Sequence, residues 1–297
     1  MQQTETGQIQ QIETIAQLRQ VVKEARSQGK TIGLVPTMGY LHEGHLSLVQ
    51  AAAERADFVV VSIFVNPLQF GPSEDLANYP RDLHHDLALL TTQGAAHVVF
   101  TPSVEEMYPQ PMATRVELPE LSGFLCGKTR PTHFQGVATV VSKLFHIVLP
   151  DFAFFGQKDG QQLAIIRRMV KDLNFPIEIV GVPTVREADG LAKSSRNVYL
   201  TPDERAHATV LYRTLCWARD QIATRKVTGS ELAAGMRQRI SEDGVARVDY
   251  AEVVSMDTLA PIDQIEGPVM LAVAAYFGKA RLIDNMQLVV EHGRIVG

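Results

Sequence analysis

Residues 31–65 read TIGLVPTMGYLHEGHLSLVQAAAERADFVVVSIFV, and the order of apolar and punctuating residues in that stretch decides the fold. Thr31–Val35 is a short apolar run between breakers, which predicts a strand that Pro36 stops. From about His42 to Arg55 the residues Leu46, Leu48, Val49 and Ala52 supply the buried face of a helix. Phe58–Val65 is apolar almost throughout, the pattern of a strand covered on both faces of a parallel sheet. Strand, helix and strand in succession form one βαβ unit.

The same alternation extends in both directions. Upstream, residues 1–10 read as a polar start. Ile12, Ile15, Leu18, Val21 and Val22 then recur at helical spacing, and Gly29 ends that helix. Downstream, Leu83–Leu90, Gly136–Val148 and Gln161–Lys171 read as helices, and Ala96–Phe100, Phe152–Phe155 and Ile177–Val180 as strands. An α/β fold with a doubly wound parallel sheet is the expectation. Around Gly181–Asn197 the pattern changes to a loop. Two helices follow, at about Pro202–Thr224 and Ser230–Ser241, and then alternating apolar segments at Val248–Ser255, Val269–Phe277 and Leu282–Val290. This change predicts a smaller C-terminal α+β domain, with domains at 1–184 and 185–297.

Composition narrows the function classes. The 297 residues carry 28 Lys and Arg against 33 Asp and Glu, a formal net charge of −5. That balance argues against a chain that coats nucleic acid or an anionic membrane, while leaving room for a local basic pocket. Two cysteines, Cys126 and Cys216, cannot build a disulfide framework or a four-thiolate metal site. No signal pattern opens the chain, and no apolar run approaches the roughly 20 residues of a membrane span. The expectation is a soluble cytoplasmic protein.

Three constellations carry chemistry. Pro36-Thr37-Met38-Gly39-Tyr40-Leu41-His42-Glu43-Gly44-His45 falls after the first strand and opens a helix, where an open α/β sheet binds nucleotides. Gly39 permits a tight turn, and Gly44 removes a side chain where a base or phosphate must come close. His42 and His45 share one helix face and can both donate to a phosphate chain. Structural histidines or a zinc pair are the alternatives, although zinc-protease helices space their histidines by four. Phe155-Gly156-Gln157-Lys158-Asp159-Gly160-Gln161-Gln162 ends a second predicted strand, so Lys158 belongs near the histidines and is placed to meet phosphate, or is a solvated surface lysine. Leu191-Ala192-Lys193-Ser194-Ser195-Arg196-Asn197 sets hydroxyls beside cations, suiting a triphosphate clamp or an ordinary inter-domain turn.

Taken together, His-x-Gly-His after the first strand and the later Ser-Ser-Arg loop are similar to the nucleotidylyltransferase superfamily that includes class I aminoacyl-tRNA synthetases. Residues 36–45 (PTMGYLHEGH), 64–70 (FVNPLQF), 79–81 (YPR), 155–162 (FGQKDGQQ) and 181–200 (GVPTVREADGLAKSSRNVYL) narrow this to a resemblance to the pantothenate synthetase family, running from about residue 12 onward. The resemblance implies a Rossmann-like N-terminal domain with a C-terminal lid, usually as a homodimer, and an ATP-dependent, AMP-forming carbon–nitrogen ligase. Such an enzyme condenses pantoate with β-alanine to pantothenate, AMP and pyrophosphate through a pantoyl-adenylate.

Carried over by position, the resemblance implies ATP binding by Met38, Gly39, Tyr40, Leu41, His42, Glu43, Gly44 and His45, with His45 as proton donor. Gly156, Gln157, Lys158, Asp159, the backbone of Val185, and Lys193, Ser194, Ser195 and Arg196 complete the ATP site. Gln69 and Gln162 hold pantoate, Gln69 also lying near β-alanine; without the motif context the two would read as surface glutamines. Adenylation brings a carboxylate to an anionic triphosphate, so His42, His45, Lys158, Arg196 and Mg²⁺ suit the chemistry by neutralising charge. Phosphate oxygens supply most Mg²⁺ ligands, and the sequence marks no protein ligand. The lid is expected to close over ATP through Lys193–Asn197. Thr132 stands where many family members carry glycine, Cys126 where an acidic residue is common, and Lys193 where methionine is common. A nucleotidyltransferase acting on a phosphorylated alcohol shares the histidines and the Ser-Ser-Arg loop, but has no need of Asn66–Phe70.

Overall fold

The computed structural model describes residues 9–72, 74 and 76–296. The expected polar start over residues 1–10 therefore lies mostly outside the described residues, and Gln10 opens a strand. In chain order the elements begin with β1 (Gln10–Ile12), α1 (Ile15–Ser27), β2 (Ile32–Thr37), α2 (Glu43–Ala53), β3 (Phe58–Ile63), α3 (Leu83–Gln93) and β4 (Val98–Phe100). There follow α4 (Val104–Met107), α5 (Pro119–Ser122), α6 (Cys126–Thr129), α7 (His133–Val148), β5 (Phe152–Gly156), α8 (Gly160–Asp172) and β6 (Glu178–Val182). The last stretch holds α9 (Pro202–His207), α10 (Val210–Thr224), α11 (Gly229–Glu242), β7 (Arg247–Ser255), β8 (Gly267–Phe277), β9 (Ala280–Glu291) and β10 (Arg294–Ile295).

Among the described residues the chain divides into two compact units, one of 1–118, 130–156 and 165–182, the other of 119–129, 157–164 and 183–297. A single boundary after residue 184 misses the excursions 119–129 and 157–164, and side-chain amides explain why. The buried Gln161 accepts the Cys126 N–H at 3.0 Å and donates to the carbonyls of Leu121 and Phe124 at 3.2 and 2.8 Å. Asn285 of β9 donates to the carbonyls of Gln157 and Lys158 at 2.9 and 2.8 Å.

The first unit is a six-stranded sheet in the order β1-β4-β3-β2-β5-β6, every pairing parallel. Val35, Val59, Val61, Val99 and Phe154 pack with Val49 and Ala52 of α2 in its core. Each such valine or phenylalanine contributes about 1.5–3 kcal/mol on full burial. Pro36 does not stop β2 but pairs with Ser62 within it. Odd residues of β2 face β3 (Phe58 N–H to Thr31 C=O, Phe64 N–H to Thr37 C=O), and even ones face β5 (Asp151 N–H to Ile32 C=O). Pairing with β5 ends at Leu34, so the N–H that proline lacks has no ladder to join. From β2 the chain crosses to β3, and from β5 it crosses the other way to β6. The carboxyl ends of the neighbours β2 and β5 are therefore the switch point of the sheet, where open α/β folds bind ligands.

The second unit holds an antiparallel sheet in the order β10-β9-β8-β7. Leu211, Leu215, Leu232, Met236 and Ile240 from α10 and α11 pack with Val253, Leu271, Val273 and Phe277 of the sheet. The single helix expected over 202–224 is two helices. The Thr209 hydroxyl donates to the Ala206 carbonyl at 3.0 Å, and the Leu211 N–H reaches back only three residues, to Ala208. The expected loop at 181–197 is narrower than its pattern, since β6 runs to Val182 and Arg186 bridges Ala192. Among the described residues no helix is long and apolar enough to cross a membrane.

Candidate active site

At the carboxyl end of β2 the chain turns sharply, with Gly39 at φ 82° and Tyr40 at φ 51°. A Cβ on Gly39 would stand 2.9 Å from Ile63 Cγ2 and 3.0 Å from Asp86 Oδ2, so only glycine fits. The turn delivers His42 to the N-cap of α2. Its Nδ1 accepts the Gly44 N–H at 3.1 Å, and the His42 N–H in turn donates to Nδ1 of His45 at 3.3 Å. This is a capping box built from two histidines. Each Nδ1 is used as an acceptor, so in each neutral ring the proton sits on Nε2, the atom that can donate to a ligand. The rings lie 4.1 Å apart between centroids. The expectation that both histidines can donate from one helix face therefore becomes specific to Nε2.

Asp86 of α3, which the motif reading passed over, underpins the turn. Its buried carboxylate accepts the Tyr40 N–H at 2.9 Å and the Leu41 N–H at 2.6 Å. Burial raises its pKa above the ordinary aspartate value, against the pull of those two bonds. Asp86 lies four residues before Leu90, and these two are the buried residues of α3, but the partners of the carboxylate are set only by the fold.

Gln69 is buried in the same unit, beside Met38: its Nε2 lies 2.8 Å from Met38 Sδ. Asn66 sets the orientation of that amide. The Asn66 Oδ1 accepts from the Tyr108 hydroxyl at 2.8 Å and the Leu68 N–H at 3.3 Å, which turns its amide nitrogen toward the Gly136 carbonyl (3.1 Å) and Gln69 Oε1 (3.2 Å). Gln69 Oε1 is thereby committed to Asn66, and Nε2 is the end directed away from it. Burial pushes the Tyr108 phenol well above its usual pKa, so it serves this chain as a neutral donor. His133 Nδ1 meets the Gln69 carbonyl at 2.9 Å. Nearby, Arg130 clasps Glu74 with two bonds, and its hydrogen bonds and charge outweigh burial to hold that carboxyl below its usual value. Thr132 has φ −96° and ψ −7°, backbone open to any residue, so its departure from glycine imposes no strain.

The remaining candidates belong to the second unit, apart from Gly156 at the end of β5. Gln157, Lys158 and Asp159 form a single turn whose carbonyls are gripped by Asn285, and Lys158 Nζ lies 3.6 Å from Asp159 Oδ1. Beside Asn285, the buried Asp284 pairs with Arg186 through bonds of 2.6 and 3.0 Å. Burial still raises its carboxyl above the ordinary value, with Arg186 and Lys158 pulling the other way. Asn285 and Asp284 were missed because nothing local marks them within an apolar strand. Gln162 is partly exposed in the first turn of α8, whereas its neighbour Gln161 is the buried anchor. Val185 accepts the Lys193 N–H at 3.0 Å, and the Lys193 ammonium meets Glu187 at 3.2 Å. Ser194 caps the turn Ser195–Tyr199 by accepting the Arg196 N–H at 3.2 Å. Cys126 is buried, its sulfur 3.3 Å from the Tyr250 hydroxyl and 3.5 Å from Arg281 Nη2.

Among the described residues no group of three or more His, Cys, Asp or Glu side chains is placed to hold a metal ion. The first unit thus assembles two Nε2 donors at a helix N-terminus and an oriented amide at the next strand end. In the second unit, a lysine rests on a clamped backbone, and a hydroxyl-rich turn carries an arginine.

Known proteins match this chain along most of its length. The family model described as pantoate-beta-alanine ligase matches residues 10–287. A pantothenate synthetase of Pelotomaculum thermopropionicum is 55% identical over 272 residues, covering 92% of this chain and 96% of that protein. One from Moorella thermoacetica is 54% identical over 279 residues, 94% of this chain and 98% of that one. The crystal structure of pantothenate synthetase from Thermus thermophilus superposes with a TM-score of 0.87 at 49% identity, covering 94% of this chain and 99% of that one. The pantoate-beta-alanine ligase of Francisella tularensis, crystallised with beta-gamma ATP and beta-alanine, gives a TM-score of 0.77 at 34% identity, covering 94% and 97%. With the six-stranded parallel sheet and the antiparallel second sheet in place, the chain belongs to the pantoate-beta-alanine ligase family.

Proposed function

We propose that the protein condenses (R)-pantoate with β-alanine, using ATP and releasing AMP and pyrophosphate, through a pantoyl-adenylate. The observation that carries this reading is the pair of capped imidazoles, both with Nε2 as donor, at the switch point of the sheet. The Francisella relative, crystallised with beta-gamma ATP and beta-alanine, supports the same substrates for this chain.

In the first half-reaction a pantoate carboxylate oxygen attacks the α-phosphorus and the bond to pyrophosphate breaks. Repulsion between anions is the barrier, and His42, His45, Lys158 and Arg196 meet it with donors and positive charge. Such a preorganised contact is worth on the order of 3–4 kcal/mol. Mg²⁺ brought by ATP would be held mainly by phosphate oxygens and would add positive charge against the same repulsion. His45 Nε2–H serves the leaving phosphate as donor. Met38 to Gly44, Gly156, Gln157, Asp159, Val185 and Lys193 to Ser195 line the nucleotide.

Gln69 and Gln162 hold the pantoate. An amide nitrogen can donate to the acid where an aspartate or glutamate would repel it, and the Asn66 bond leaves Gln69 presenting that nitrogen. In the second half-reaction the neutral amine of β-alanine attacks the acyl carbon. The C–O bond to AMP breaks, and the amine proton is lost to water. Orientation of the two reactants alone can supply about 7–11 kcal/mol.

The test is AMP and pyrophosphate release from ATP–Mg²⁺ and pantoate, with and without β-alanine. Sustained release requiring both acids is expected. Release that does not depend on pantoate would reject the reading.

A further inference from the structure

Three backbone N–H groups in the turn before α2 are already spoken for: Gly39 donates to Thr37 Oγ1 at 3.2 Å, and Tyr40 and Leu41 donate to the two oxygens of Asp86. Successive N–H groups in a left-handed turn make a concavity that ordinarily draws an anion. Here the protein fills it with its own carboxylate, delivered from α3 some 45 residues away and almost fully buried.

We propose that Asp86 is a positioning residue for His42 and His45. Its charge clamps Tyr40 and Leu41, the turn so fixed sets His42 at the N-cap, and His42 sets the ring of His45. The clamp also assigns roles, since a phosphate arriving at this helix is met by the imidazoles and not by the N–H groups of Tyr40 and Leu41. Both oxygens are needed, one for each N–H. An amide offers one oxygen and turns its NH₂ against the second donor, so Asp86→Asn breaks one arm of the clamp and places two donors face to face. That the histidines serve a nucleotide rests on the ligase reading; that Asp86 sets their geometry does not.

The experiment therefore reads the rings without any ligand. In the full chain labelled with nitrogen-15 histidine, the imidazole nitrogens of His42 and His45 are expected to show one tautomer, with the proton on Nε2. Asp86→Asn is expected to average their shifts between tautomers while the chain stays folded. It is also expected to lower the rate of pantoate-dependent AMP release by about 10²-fold, the scale of a displaced reactive group. Unchanged imidazole shifts in folded Asp86→Asn would overturn the proposal, whatever the activity. If the variant does not fold, hydrogen exchange in the unaltered protein decides: the Tyr40 and Leu41 amides are expected to be protected, and rapid exchange at both would overturn it. Absence of AMP release from the unaltered protein would reject the ligase reading while leaving the ring measurement to judge Asp86.

Discussion

The backbone N–H of His42 donates to Nδ1 of His45 at 3.3 Å, so the first histidine of the motif fixes the tautomer of the second. A single contact thus has two uses. It satisfies one of the orphan N–H groups at the start of α2, and it leaves the proton of the neutral His45 ring on Nε2.

These uses can be separated. Glutamine is a standard partner at this third helical position, able to reach back to the N-cap N–H, yet it cannot place a donor where Nε2 stands. His45→Gln is expected to keep the stability of the chain within about 0.5 kcal/mol, as for substitutions that preserve local structure. Its single-turnover AMP formation is expected to fall by roughly 10²–10³. Urea unfolding and rapid-quench assays check the two halves. A parallel loss of stability would mean that the ring is mainly a structural cap.

Helix α7 touches the segment carrying Gln69 through a glycine. A Cβ on Gly136 would lie 2.3 Å from the Leu68 carbonyl oxygen and 2.5 Å from the Gln69 nitrogen, both backbone atoms that cannot swing aside. Gly136→Ala is expected to push Leu68–Gln69 away and to destabilise the chain by about 1–3 kcal/mol, the usual range for overpacking. With Gln69 displaced, KM for pantoate is expected to rise while KM for ATP stays near its starting value. Steady-state kinetics with each substrate varied in turn would show the split.

In the second unit, Arg186→Met leaves the buried Asp284 carboxylate without its partner. Removing one member of a buried pair typically destabilises by about 3–5 kcal/mol. The pH dependence has a definite sign. Burial already raises the Asp284 pKa above 3.8, and losing the bonds and charge of Arg186 raises it further. An acid whose folded pKa is raised contributes stability that is present below its unfolded value and lost as pH rises through the folded one. The deficit of Arg186→Met against the unaltered protein is therefore expected to be largest at the alkaline end and to shrink as pH falls and both folded carboxyls become protonated. Calorimetric melting at a series of pH values checks it, and a deficit independent of pH would show that both proteins hold Asp284 in the same protonation state throughout.

Much of this architecture was legible in residue order. The βαβ stretch at 31–65, the later strands and the antiparallel segments beyond residue 245 all formed where apolar periodicity placed them, because burial is what that periodicity records. Strand β1 escaped because Gln10-Gln11-Ile12 is a polar edge strand paired on one side alone. Pro36 misled because its effect depends on how far the neighbouring strand extends, which is not a local property. The histidine motif could be read, but its tautomers could not, since they follow from N–H directions at the helix start. Asp86, Asn66 and Asn285 act through partners 3 to 128 residues distant, and such pairings exist only after folding.

The proposed route activates pantoate through its own carboxylate on the way to the amide. Pantoate labelled with heavy oxygen in both carboxylate positions tests it directly. One labelled oxygen is expected in the phosphate of AMP, and the other is expected to remain in the amide of pantothenate. Unlabelled AMP, with pantothenate formed at a normal rate, would contradict the adenylate route.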